Sequence, residues 1–268
     1  MPTPDAYRQL VPVAGVLALL LVAGVAAMVH LWRNAGTNGL PWRNLLTRFA
    51  EPSPWRGRDL LALLALLALA QIIRPHLPGA IVRDVLAFQG VVVGGALWLA
   101  HRKAQPFGQR SAGSAVIKQA LLRWLALLPL LWFAAFTWQV VLKAMGQAPS
   151  LQEALRLFIE SQNRWQRAGL LVFAVILAPI AEEILFRGIL LPLLVRRTGA
   201  MAGLLLTAAA FAALHGNLGT LVPLALISIA LSLAYARTGT LLVPMVMHAL
   251  FNGANLALLW SFLRAGVV

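Results

Sequence analysis

Long apolar runs separated by short polar gaps dominate the chain, and their length sets the first expectation. A helix crossing about 30 Å of hydrocarbon needs about 20 apolar residues. On that ruler the pattern predicts eight spans, at 11–32, 60–78, 84–100, 119–142, 168–194, 200–216, 220–235 and 240–261. Pro75 and Pro78 shorten the second span, and Pro223 kinks the seventh or marks its first turn. Beyond the leucine and alanine runs of the spans themselves there is no repeat and no low-complexity tract. The expected fold class is all-α, a polytopic transmembrane helical bundle of about eight spans, forming one integral membrane domain over residues 1–268.

Composition strengthens this reading. Of the 268 residues, 60% are hydrophobic and 11% charged, and the mean hydropathy is +0.81. A soluble domain of this size has too little polar surface to cover so much apolar area, whereas lipid needs no such covering. The net charge of +14 comes from 22 Lys and Arg against 8 Asp and Glu. These basic residues fall mostly in the gaps between apolar runs, the placement that orients a membrane protein, so membrane lipid and not nucleic acid is the expected partner.

Placing the N-terminus outside puts the larger share of Lys and Arg in inner loops, including Arg33, Arg43, Arg48, Arg102, Lys103, Arg196 and Arg197. Both termini are then expected outside. The run from Val11 to Trp32 is longer than the apolar region of a signal peptide and lacks a small-x-small cleavage site, so a retained helix is expected. The expected setting is a bacterial inner (plasma) membrane. With no cysteine, disulfides, thiolate catalysis and thiolate metal ligation are excluded. Between the fourth and fifth spans, residues 150–165 place Leu151, Leu155, Phe158 and Ile159 near one face, behind a Ser150 and Glu153 capping pattern. A surface-lying amphipathic helix is expected there.

Few strongly polar groups remain at membrane depth in the C-terminal half: Glu182, Glu183, Arg187, His215, Asn217, His248, Asn252 and Asn255. A carboxylate at that depth costs about 2.5 to 10 kcal/mol, so such residues face a cavity or a partner. Glu183 and Arg187 are four apart and share a helical face, where an ion pair neutralises both. Glu182 is rotated by about 100° and points elsewhere. His248 and Asn252 are also four apart, as are Phe211 and His215, and Asn255 continues the His248 face. Pro179 and Pro244 are expected to loosen the backbone beside Glu182 and His248 and make room for water.

Each feature taken singly has a plainer reading. Glu183 with Arg187 is a helix lock, a lone intramembrane histidine is an interhelical hydrogen-bonding residue, and Asn252 is packing glue. His30, His76 and His101, near span ends or loop edges, carry no further argument.

Three motifs in order change the weight of these readings. Glu-Glu-Ile-Leu-Phe-Arg at 182–187, Phe-Ala-Ala-Leu-His at 211–215 and His-Ala-Leu-Phe-Asn at 248–252 resemble those of the CPBP family, the type II CAAX prenyl protease and bacteriocin-processing (Abi) intramembrane proteases. The resemblance covers residues 165–260, a CAAX-protease-like catalytic core, and leaves the spans of residues 1–145 without an assigned role. It implies an intramembrane endopeptidase acting near a membrane-associated C-terminal segment that is prenylated, lipidated or a sorting signal. It further implies Glu182, with His215, as the base that activates a water, His248 and Asn252 as holders of the water or the oxyanion, and Glu183, Arg187 and Phe211 as supports.

Members are often labelled metalloproteases, and Glu182, His215 and His248 would supply a zinc set of two histidines and one carboxylate. No His-Glu-x-x-His is present and zinc would still want a separate base, so a metal-independent glutamate mechanism is expected, with no cofactor. A proton-coupled transporter using a Glu/His relay is the alternative from another class. It would be expected to carry an inverted repeat, and residues 1–140 hold no second copy of the Glu-Glu pattern. A non-enzymatic membrane scaffold is a third, and would be marked by loss of one motif; all three are present.

Overall fold

A computed structural model describes residues 4–35, 45, 56–73, 90–103, 107–108, 112–147, 158–159, 161 and 163–265. Among these, helices follow the apolar runs: α1 (Pro4–Ala35), α2 (Gly57–Ile73), α3 (Val91–His101), α4 (Gly113–Ala144), α5 (Arg164–Thr198), α6 (Ala200–Leu214), α7 (Leu221–Thr238) and α8 (Leu242–Arg264). The all-α bundle is as expected. Five of these segments, α1, α4, α5, α7 with the turn before it, and α8, are long and apolar enough to cross a membrane. The chain is an integral membrane protein. At 15 residues, α6 is about 22 Å long and ends short of a full crossing.

The predicted ends of the second span and the start of the third, at 74–78 and 84–89, lie outside the described residues. So does most of the amphipathic segment at 150–165, of which Phe158 and Ile159 are helical. Phe158 is buried against Leu170, Leu256 and Leu259, so this part of the segment packs on α5 and α8.

α4 is the central post. Its Ala120, Trp124, Leu127 and Leu131 share one core with Phe186 of α5, Phe211 of α6, Ile227 and Leu231 of α7, and Val243 and Met247 of α8. α1 lies along α4 at a distance only glycine permits, since a Cβ on Gly24 would stand 2.7 Å from the Leu125 carbonyl oxygen. A second core sets Leu63 of α2 and Ala96 and Leu99 of α3 against Ile184 and Ile189 of α5. α2 and α3 are clasped by Lys103, whose ammonium donates to Asp59 Oδ2 at 2.7 Å, while the same oxygen accepts from the Arg56 backbone N–H at 2.7 Å. Large apolar side chains such as Leu19, Phe133, Phe136 and Leu205 point outward, as lipid-facing positions do.

The helix carrying the glutamates is not regular. Within α5, Phe173–Leu177 and Ile184–Leu190 are wide π-type segments, and between them lies the α-helical Ala178–Glu183. Each wide segment ends two residues before a proline, Pro179 or Pro192. Proline has no N–H to continue the i to i−4 ladder, and a wider turn accommodates the missing bond. Pro244, by contrast, is the third residue of α8, where a backbone N–H has no helical partner in any case. It therefore loosens nothing beside His248, contrary to the sequence expectation. Pro223 is likewise third in α7 and marks its first turn.

Candidate active site

Glu183 and Arg187 are both fully buried, and Arg187 Nη1 donates to Glu183 Oε1 at 2.9 Å. The expected lock is present, but Glu183 does more than hold Arg187. The same Oε1 accepts from His248 Nδ1 at 2.8 Å. Since an ionised carboxylate only accepts, this bond puts the imidazole proton on Nδ1 and leaves Nε2 of the neutral ring with its lone pair outward. Arg187 in turn donates through Nη2 to the Ser228 carbonyl at 3.1 Å and to its hydroxyl at 3.0 Å. A chain of polar contacts thus runs from Ser228 on α7 through Arg187 and Glu183 on α5 to His248 on α8.

Glu182 stands beside the far end of that chain. Its Oε2 is 3.9 Å from His248 Nε2, too long for a direct hydrogen bond. This oxygen is buried and has no hydrogen-bond partner, and Glu183 Oε2 and Arg187 Nε are in the same state. An unpaired buried polar atom costs about 1 to 3 kcal/mol. The side chain of Glu182 is 22% exposed against 0% for Glu183, so the adjacent carboxylates sit in different surroundings, one enclosed and one reachable.

His215 is the residue after α6. Its Nδ1 donates to the Phe211 carbonyl at 2.7 Å, satisfying one of the carbonyls the helix end leaves free, and again leaves Nε2 as the acceptor. Gly216 follows at φ +62°, a left-handed conformation that stops the helix there. The break is held from α4, where Trp138 Nε1 donates to the Leu218 carbonyl at 2.8 Å and Gln139 Nε2 to the Gly219 carbonyl at 2.9 Å.

Phe211 joins the two histidines. Its ring centroid lies 4.8 Å from that of His215 and 5.8 Å from that of His248, with Phe186 edge-on at 5.0 Å and the Arg187 guanidinium 4.7 Å away. No hydrogen bond or ion pair among the described residues joins His215 to Glu182 directly.

Asn252 is anchored by the irregularity of α5. In an i to i−5 pattern the N–H of residue 179 would reach the carbonyl of Ala174, but residue 179 is proline. Asn252 Nδ2 donates to that Ala174 oxygen at 2.8 Å. One N–H of its amide is occupied in this way and the second is available. Asn217 caps the turn before α7, accepting from Thr220 N, and Asn255 is exposed. Among the described residues no three His, Asp or Glu side chains group as a metal site. Glu182, His215 and His248, the zinc set the sequence offers, do not form such a group as they stand.

Ser228 and Pro192 were missed by sequence reasoning. A serine in an apolar span usually bonds its own helix, as Ser232 does to the Ser228 carbonyl at 2.8 Å. The available signal was arithmetic: a buried arginine has five donors, and one glutamate cannot accept them all.

This constellation falls within a region of known kind. Residues 164–254 match the model of the Rce1-like family, the type II CAAX prenyl endopeptidases. The C-terminal region is similar to this family over those residues. The match starts with α5 and runs into α8, enclosing Glu182, Glu183, Arg187, Phe211, His215, His248 and Asn252, and it stops before Asn255. No curated protein and no solved structure matches the chain. The Rce1-like match supports a CAAX-type intramembrane protease in general, a class that hydrolyses peptide bonds.

Proposed function

We propose that the protein hydrolyses a peptide bond close to the membrane-associated C-terminal tail of a peptide or protein substrate, using a water activated by Glu182 and no metal. The observation that carries this reading is the buried, unpartnered Oε2 of Glu182, 3.9 Å from the outward Nε2 of His248. Two acceptors at that separation suit one water between them. The water donates one hydrogen bond to His248 Nε2 and loses its other proton to Glu182 as its oxygen attacks the substrate carbonyl carbon. The new C–O bond forms as the carbonyl π electrons move onto oxygen. The free N–H of Asn252 then stabilises the oxyanion, an effect often worth about 2.7 to 4 kcal/mol. When the tetrahedral intermediate collapses, the C–N bond breaks and Glu182 returns its proton to the leaving amine.

Glu183 takes no proton in this scheme. It is neutralised by Arg187 and fixes the His248 tautomer, which is the role of a support. His215, with Nδ1 tied to the Phe211 carbonyl, presents Nε2 as a second acceptor. Membrane lipid and a substrate with a lipidated or sorting-type tail are the proposed partners. A helical bundle suits an inner (plasma) membrane, where outer-membrane proteins are typically closed barrels.

The test is cleavage of a membrane-tethered, prenylated peptide by the purified, lipid-reconstituted protein after exhaustive chelation. Cleavage should persist in the chelated protein and vanish in Glu182→Gln. Loss of activity on chelation with recovery on adding zinc would overturn the metal-free mechanism, and full activity in Glu182→Gln would overturn the role of Glu182.

A further inference from the structure

Away from the glutamates, the start of α5 and the end of α8 enclose a groove of about 440 Å³, within the range of about 300 to 1,000 Å³ typical of ligand pockets. Its walls include Phe158, Leu171, Val175, Gly253, Leu256 and Trp260, and among the described residues Arg167 is the one charged residue lining it. Trp260 and Trp165 lie near these helix ends, where aromatic residues mark the boundary between hydrocarbon and headgroups. The Arg167 guanidinium carbon is 5.7 Å from the Trp260 ring centroid, and that of Arg264, four residues on along α8, is 5.3 Å from the same ring.

Two cations share one indole, with no carboxylate between them among the described residues. Arg167 Nε donates to the Ser161 carbonyl at 2.7 Å, which fixes the guanidinium while leaving its terminal nitrogens without a hydrogen-bond partner among the described residues. No ion pair among those residues engages either arginine. Their mutual repulsion would be relieved by an anion, and the apolar groove beside them calls for an alkyl chain on the same molecule.

We propose that this groove binds an anionic phospholipid, its acyl chain lying along Leu171, Val175 and Leu256 and its phosphate held by Arg167 and Arg264. The site is separate from the catalytic constellation and does not depend on the proposed mechanism. Its inner wall, Val175 and Gly253, nevertheless adjoins Ala174 and Asn252 in sequence, so an occupied groove would brace the Asn252 anchor.

Native mass spectrometry of the full protein, equilibrated in micelles holding equal phosphatidylglycerol and phosphatidylcholine, measures which lipid is retained. The wild type should retain phosphatidylglycerol preferentially. Each basic residue near a headgroup changes binding by about fivefold, so Arg167→Gln with Arg264→Gln should weaken that retention roughly 25-fold, while the paired Lys substitutions keep most of it. Ala257 also lines the groove, and Ala257→Phe, which fills it, should release dioleoyl phosphatidylglycerol but keep the dihexanoyl form. No preference in the wild type, or an unchanged preference in the double Gln variant, overturns the site. Retention of the long-chain lipid by Ala257→Phe overturns the groove as its seat. Displacement of the lipid by a prenylated peptide would assign the groove to substrate and also overturn the proposal.

Discussion

Among the described residues charge is buried in two places in this bundle, and the two are built differently. Between α2 and α3, Asp59 and Lys103 make one ion pair, with the same Asp59 oxygen also capping the start of α2. In that pair one negative charge meets one positive charge, and both residues lie near helix ends. In the C-terminal helices, Glu183 is shared by Arg187 and His248, Arg187 is shared with Ser228, and a second carboxylate at Glu182 is left without a hydrogen-bond partner. A closed pair has nothing further to offer a substrate. An oversubscribed cluster with one carboxylate to spare holds a group in readiness, and that is the difference between a clasp and a site.

The strongest way to break the comparison is to neutralise one carboxylate of each kind. Glu182→Gln should lower cleavage of the tethered peptide by a factor of about 10² to 10⁴, the usual contribution of a general base, with an unchanged melting temperature. Asp59→Asn should leave cleavage near the wild-type rate. Equal losses in the two variants would mean that Glu182 is no more chemical than Asp59.

Next in size is Glu183→Ala. It leaves the fully buried Arg187 without its counter-charge, and breaking a buried pair in this way costs about 3 to 5 kcal/mol. Expression and melting temperature should fall with activity. Adding Arg187→Met should restore stability in part but not cleavage, because His248 would still lack the acceptor that fixes its tautomer. Recovery of both together would reduce Glu183 to a simple lock.

Ser228→Ala sharpens the contrast further along the same chain. It removes one hydrogen bond to a charged group, worth about 1.5 to 3 kcal/mol, and leaves the Ser228 carbonyl contact in place. A stability loss in that range with a smaller loss of cleavage is expected, read from thermal melts in lipid and from turnover of the same peptide. Unchanged stability would show that the hydroxyl plays no part in holding Arg187.

The difference between clasp and site was only partly legible in the chain. Apolar run length located the helices because lipid demands a fixed span, and i to i+4 spacing placed Glu183 on Arg187 because that geometry is local. The contact from Glu183 to His248 joins residues 65 apart and follows no local rule. Nor did the sequence reading use Pro192, or connect Pro179 to Asn252. That connection requires knowing that the helix widens to an i to i−5 pattern, which frees the Ala174 carbonyl in particular. Pro244 misled for the opposite reason, since its effect depends on how near the helix start it falls.

The smallest expected effect lies in the clasp itself. Exchanging the ion pair for a neutral one, with Asp59→Asn and Lys103→Gln together, keeps an acceptor for the Arg56 N–H and allows an amide-to-amide hydrogen bond between α2 and α3. Desolvation opposes a buried ion pair about as strongly as attraction favours it, so a neutral replacement should shift stability by no more than about 1 kcal/mol. Lys103→Met alone should cost more than the double substitution, because Asp59 would keep its charge without its partner. Melting temperatures of the three proteins in the same lipid decide this, with cleavage unchanged throughout. A double variant less stable than Lys103→Met would mean that the charges themselves hold α2 to α3, and the clasp would then resemble the site more closely than its geometry suggests.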